Sequence, residues 1–118
     1  MNSNNLKIKP ELTSPDEKAR LTALYEYSIL DTRPEKELDA LTQLAAYICN
    51  CPVSLISLMD EGRQWFKAKH GINLTETVRE ISFCQYTIKS NEILEVCDAK
   101  LDERFLNNPI VTGDPHIQ

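Results

Sequence analysis

At 118 residues and 42% hydrophobic content, the chain has room for one domain with a core, is too short for two, and does not compose as a disordered segment. Its 13 basic and 18 acidic residues give a net charge of -5, and the basic ones are scattered, so there is no footprint for nucleic acid or an anionic membrane. No apolar run approaches the ~20 residues of a spanning helix. The polar start "MNSNNLKIKPELTS" has no signal-peptide core, so the expectation is a cytoplasmic protein whose cysteines, Cys49, Cys51, Cys84 and Cys97, are reduced thiols.

Residues 1–13 read as a flexible lead-in and residues 14–118 as the domain. "SPDE" starts a helix: Ser14 caps, Pro15 suits the first helical position and Glu17 completes a capping box. Leu21, Leu24, Tyr25 and Ser28 then form a stripe at helical spacing. Thr32 and Glu35 stand in the capping-box relation for a second helix, with Leu38, Leu41, Ala45 and Ile48 on one face. Asn50 and Pro52 end it, because Asn tolerates a left-handed cap and Pro cannot continue a helix.

The period then changes. "VSLISLM" is apolar on both faces, as a central strand is, and "DEGR" with Gly62 at positive φ suggests a tight hairpin. "QWFKAKH" alternates as an antiparallel second strand, with Trp65, Lys67 and Lys69 on one face and Phe66, Ala68 and His70 on the other. "INLTETVRE" reads as a polar loop, Ile81, Cys84 and Ile88 share helical spacing, and "EILEVC" reads as a third strand. The remainder carries N-P, G-D and D-P turn signals with room for one or two short helical turns. No Gly-rich phosphate loop follows a strand, so a doubly wound nucleotide fold is excluded in favour of an α+β domain with an antiparallel sheet.

Four stretches in this order resemble GAF domains: "EKARLTALYEYSILDTRPEKELDALTQLAA", "VSLISLMDEGRQWFKAKHGI", "FCQYTI" and "VCDAKLDERFLNNPIVTGDPHIQ". More narrowly, they look like the N-terminal GAF module of bacterial sensor histidine kinases and diguanylate cyclases. The resemblance implies an antiparallel sheet with flanking helices, a ligand cavity on one sheet face, and a first helix that pairs with a partner subunit. It also implies that the family domain continues past "GDPHIQ", making this chain a GAF-like α+β fragment that lacks the last strands and C-terminal helix. Tyr86 stands where many relatives carry His, and Cys97 where their pattern carries Pro.

Carried over by that resemblance, the ligand wall is expected to include Phe66, Ala68, Cys84, Tyr86, Thr87, Val96, Asp98, Phe105 and His116, and the dimer contact Leu21, Leu24 and Tyr25. Cys84 is the candidate for chemistry. A nucleophilic thiol needs a cation, an imidazole or a helix N-terminus beside it; the nearest cations in sequence, Arg79 and Lys89, are not obvious neighbours, so packing or cavity wall is the expectation. The alternative is a methionine sulfoxide reductase-like enzyme in which Cys84 is resolved by Cys97. A bilin anchor fits poorly, since Gln85 rather than His follows the cysteine. Cys49 and Cys51 form a C-x-C that neither His70 nor His116 completes into a metal pattern.

The expected function is a non-catalytic sensory module of a bacterial signalling protein, binding an unknown small molecule and associating with a second copy. No metal or cofactor is required, and no nucleic-acid or membrane partner is indicated. A parent protein could carry a histidine kinase or diguanylate cyclase output. A third reading is a structural dimerisation module whose cavity is closed off by Phe66, Tyr86 and Phe105.

Overall fold

The computed structural model describes residues 15–113. The chain divides into two compact units, and the boundary falls between Thr32 and Arg33.

The first unit holds helix α1, Pro15–Glu26. Its opening turn is braced by Arg20, whose guanidinium donates to both Glu17 carboxylate oxygens at 2.9 and 2.8 Å. Ser14, the expected cap, lies outside the described residues. Beyond the helix, Ser28 and Asp31 both take left-handed backbone, at φ 52° and 61°.

The second unit holds helix α2, Lys36–Cys49, and strands β1, Ser54–Met59, β2, Arg63–His70, and β3, Glu76–Val78. A 3-10 turn at Arg79–Ile81 follows, then the short helices α3, Cys84–Thr87, and α4, Pro109–Thr112. The strands run antiparallel in the order β1-β2-β3, so the fold is α+β with an open three-stranded sheet among the described residues.

Helix α2 departs from its expected start and its expected face. Glu35 occupies the N-cap without a side-chain capping bond. Its carboxylate is held instead 3.0 Å from the ammonium of Lys67, while the Thr32 hydroxyl donates to the Ile29 carbonyl. A charge-assisted contact to a buried ammonium outweighs a cap. At the far end Asn50 takes the expected left-handed cap, φ 53°, and Cys51 N–H donates to the Ala46 carbonyl at 2.9 Å. The helix buries Thr42 and Ala46, whereas Leu41, Leu44 and Ile48 are 55%, 52% and 69% exposed. Small side chains let the helix axis approach the sheet closely, and the bulkier stripe is thereby turned outward.

The hairpin between β1 and β2 closes through Asp60 N–H donating to the Arg63 carbonyl at 2.8 Å. Gly62 does not take positive φ there. The left-handed glycine is Gly71, at φ 82°, where a Cβ would lie 1.9 Å from the Pro52 carbonyl oxygen. Arg63 then ties β2 to its neighbours, pairing with Asp60 at 3.1 Å and Glu76 at 2.9 Å.

The register of β1 against β2 corrects the simple alternation expected of β2. Ile56 pairs with Ala68 and Ser57 with Phe66, so the register passes over Lys67 and the ladder is bulged there. A bulge shifts the parity of every residue beyond it. Gln64 and Phe66 stay on the face they share with Ser57, while Ala68 crosses to the face of Ile56. Trp65, Phe66, Lys67 and Ala68 are consecutively buried as a result. Lys67, expected on a mixed face, donates to the Arg33 carbonyl at 2.6 Å as well as meeting Glu35.

Two segments exchange roles relative to expectation. "TETV", read as loop, supplies β3, which pairs Glu76, Thr77 and Val78 with Trp65, Gln64 and Arg63. "EILEVC", read as a strand, is irregular: Glu92 N–H donates to the Ser90 hydroxyl and Ile93 is 96% exposed. Strand-like composition without a neighbouring edge to pair with does not make a strand.

That segment instead contributes Val96 to a small core around Ala99, Phe105 and Val111, joined by Phe83 and Tyr86. Phe83 stacks on Phe105 at 4.0 Å between centroids and 7° between planes, and Tyr86 meets Phe105 edge-on at 5.4 Å. No helix among the described residues is long and apolar enough to cross a membrane.

Candidate functional site

A cavity of about 660 Å³ opens on the sheet face that Gln64 and Phe66 share, away from the Ile56 and Ala68 face. Its floor comes from β1, β2 and β3, through Leu55, Gln64, Phe66 and Thr77. Its walls are Cys51, Pro52 and Val53 before β1 with Ser54 at the start of that strand, Gly71, Ile72 and Leu74 after β2, and Phe83, Cys84 and Ile110 from the helical turns.

Local chemistry positions each wall. The β1–β2 turn is pinned by Arg79, 6% exposed, which donates to the carbonyls of Asp60 at 3.0 Å and Glu61 at 3.4 Å. Ser82 donates to the Arg79 carbonyl at 2.8 Å and accepts from Gln85 N–H at 3.3 Å, which fixes the entry to α3 and so places Cys84. Asn108 caps α4 by accepting from Ile110 N–H at 3.0 Å, and its amide donates to the Ile81 carbonyl at 2.7 Å. One side chain thereby orients Ile110 and ties α4 to the segment before α3.

The polar groups of the cavity are partly engaged with one another. The Gln64 amide donates to the Ser57 hydroxyl at 2.8 Å, and that hydroxyl donates to the Cys84 sulfur at 3.8 Å. Thr77 Oγ1 is buried and has no hydrogen-bond partner. Lys69, the register partner of Leu55 across the β1–β2 ladder, turns its ammonium to the carbonyls of Leu74 at 3.1 Å and Asn73 at 3.5 Å.

Of the expected wall residues, the structure brings Phe66 and Cys84 to the cavity. Ala68 is 2% exposed on the other side of the sheet, because the bulge at Lys67 carries it there. Tyr86, Val96 and Phe105 belong to the small aromatic core. Thr87 is exposed, and Asp98 caps a turn by accepting from Lys100 N–H at 3.0 Å. His116 lies outside the described residues. On α1, Leu24 is buried, Leu21 half-buried and Tyr25 49% exposed. All four cysteines are free, and Cys49, Cys51 and Cys97 are exposed.

Gln64 and Thr77 were not singled out by sequence reasoning. The signal for Thr77 was the brief alternation of "TETV", hidden inside a polar loop. Gln64 faces Thr77 directly across the β2–β3 ladder, a relation that only the register reveals.

The comparisons with known proteins agree with this architecture. A family model for the GAF domain matches residues 33–118. A cyclic di-GMP phosphodiesterase of Pseudomonas aeruginosa is 36% identical over 103 residues, which is 87% of this chain and 18% of the relative's length. The chain thus spans less than a fifth of that relative. The matched residues hold the sheet, the cavity and its helical walls, and the chain belongs to the GAF domain family of signalling modules.

Proposed function

We propose that the chain is a non-catalytic sensory module that binds a small molecule in the sheet-face cavity and passes its occupancy to an attached output domain. The observation that carries this reading is the cavity itself. Its volume of about 660 Å³ lies in the range of small-molecule sites, roughly 300–1,000 Å³. The stacked Phe83–Phe105 pair and the Tyr86 edge contact lie beside it and leave it open.

The bulge supplies a route for the signal. Phe66 forms cavity floor, and the next residue, Lys67, reaches Arg33 and Glu35 at the foot of α2. A ligand pressing on Phe66 acts on the same short stretch of β2 that anchors α2. The kinship with a cyclic di-GMP phosphodiesterase supports an output in cyclic dinucleotide signalling over a histidine kinase phosphorelay. Association with a second copy through the α1 stripe of Leu21, Leu24 and Tyr25 belongs to the same proposal.

The test is a thermal-shift screen of small metabolites against the chain, repeated on Ile110→Trp, which fills the cavity. Compounds that raise the melting temperature of the parent and leave the filled variant unmoved support the reading. A screen in which no compound distinguishes the two proteins rejects it.

A further inference from the structure

We propose that Cys49 and Cys51 form a redox modification site, in which a peroxide oxidises Cys51 and Cys49 then closes an intrachain disulfide with it. The proposal is independent of what the sheet-face cavity binds.

Backbone geometry brings the two thiols within reach. With trans peptide bonds, the distance between the Cα atoms on either side of a residue depends only on that residue's φ and ψ. Asn50 lies between the cysteines at φ 53° and ψ 48°, the mirror image of α-helical values. Helix dimensions then set the Cys49–Cys51 Cα separation at about 5.4 Å, inside the span of roughly 4.4–6.8 Å found in disulfides. An extended residue there would place the pair near the upper limit, at about 6.6 Å. The Cys51 sulfur already turns back on residue 49 and lies 3.5 Å from its carbonyl oxygen. Both thiols are exposed, so a small oxidant and a reductant can reach them.

The surroundings assign the roles. The thiolate is the nucleophile. Cys49 is the last residue of α2, where the carbonyl end of the helix disfavours a negative charge. Cys51 stands beyond the cap and shares a groove of about 530 Å³ with His70, whose imidazole can take its proton. The Cys51 thiolate attacks one peroxide oxygen and the O–O bond breaks, leaving a sulfenic acid and a hydroxide that is protonated to water. The Cys49 thiol attacks the sulfenic sulfur, the S–S bond forms, and the sulfenic oxygen leaves with the thiol proton as a second water. Two thiols are oxidised and one hydrogen peroxide is reduced to two waters. An exposed disulfide belongs to the labile class, so a thiol reductant reverses the step by exchange.

The site also borders the cavity. Cys51, Pro52 and Val53 form part of its wall, and the Cys51 N–H donates to the Ala46 carbonyl in the α2 cap. A small ring closed around Asn50 holds that cap in one backbone state and makes the wall segment stiffer in the oxidised chain.

Tryptic digestion separates the thiols: Cys49 and Cys51 share residues 37–63, Cys84 falls in 80–89 and Cys97 in 90–100. The full chain is treated with equimolar hydrogen peroxide, alkylated with iodoacetamide and digested without reductant. The 37–63 peptide is expected to lose two hydrogens and take no label, at least about tenfold faster than the equally exposed Cys97 is oxidised. Dithiothreitol restores both labels. Dimedone is expected to trap Cys51 in Cys49→Ser and to leave Cys49 unmodified in Cys51→Ser, and His70→Asn is expected to slow the reaction. Amide exchange at Cys51, followed by NMR, is expected to be slower in the oxidised chain. A 37–63 peptide that stays doubly alkylated, or links only between chains, overturns the site. Equal dimedone labelling in the two serine variants overturns the roles, an unchanged rate in His70→Asn removes the imidazole, and unchanged Cys51 exchange removes the tie to the cavity wall.

Discussion

The ammonium of Lys67 lies 3.0 Å from the Glu35 carboxylate, with the lysine side chain 1% exposed and the glutamate side chain 57% exposed. The lysine also reaches the Arg33 carbonyl, so the single residue that breaks the β1–β2 register fastens the start of α2 to the sheet. Because the carboxylate is largely solvated, Glu35→Gln is expected to cost about 1 kcal/mol. Lys67→Ala is expected to cost about 3 kcal/mol, since it opens a hole and strips a donor from the Arg33 carbonyl. Lys67→Met keeps the volume and is expected to cost less than Lys67→Ala. Urea denaturation of the three variants checks the ranking; three midpoints equal to the parent's would show that the ammonium anchors nothing.

The two glycines beside β2 are expected to respond in opposite ways to the same change. Gly71 combines φ 82° with a Cβ position 1.9 Å from the Pro52 carbonyl oxygen. Gly71→Ala is therefore expected to destabilise by about 3 kcal/mol or more, or to prevent folding. A Cβ at Gly62 meets nothing within 4 Å, so Gly62→Ala is expected to change stability by no more than about 0.5 kcal/mol. Equal melting temperatures for the two variants would contradict the assigned backbone.

Thiol access separates packing from redox chemistry. Cys49, Cys51 and Cys97 are exposed, while Cys84 is half-buried with its sulfur accepting from Ser57. Alkylation followed by mass spectrometry is expected to modify the three exposed thiols at least tenfold faster than Cys84 (an order-of-magnitude expectation from access alone). Rapid modification of Cys84, or a Cys84–Cys97 disulfide under mild oxidant, would favour the reductase-like alternative.

The outward face of α2 presents Leu41, Leu44 and Ile48 at helical spacing, with Tyr47 84% exposed beside them. An exposed apolar stripe of this kind is expected to add a second contact to the one proposed for α1. The chain is expected to associate in light-scattering measurements, and Leu44→Glu with Ile48→Glu is expected to weaken that association. An unchanged mass in the double variant would leave the α1 stripe alone as the proposed contact.

Asp102 governs the acid limb of the turn that leads into Phe105. The side chain of Arg104 donates to it at 3.0 and 2.7 Å and the Arg104 backbone N–H at 2.9 Å, which together hold its carboxyl at about 2, below the ordinary 3.8. A folded value below the unfolded one means that the contribution is fully present above about pH 4 and is lost as pH falls through about 2. Carboxyl NMR is expected to place the Asp102 midpoint near 2 in the parent and closer to 3.8 in Arg104→Ala. A midpoint that does not move would remove the side chain of Arg104 as the cause.

Local chemistry alone was enough to specify several elements. Proline at the first turn of α1, asparagine in the left-handed cap of α2, and the apolar run into a charged turn act over a few residues and are readable wherever they occur. The motifs "DEGRQWFKA" and "FCQYTI" likewise carried the family and two wall residues, Phe66 and Cys84. Whatever depended on a distant partner was settled only in three dimensions. The bulge at Lys67 coincides with the meeting of its ammonium with Glu35 and the Arg33 carbonyl, and it moves Ala68 off the cavity face. "EILEVC" has strand composition but pairs with no strand among the described residues, whereas the shorter "TETV" joins the edge of β2. Pairing, and therefore which side chains face the cavity, is a property of neighbouring strands and not of either strand by itself.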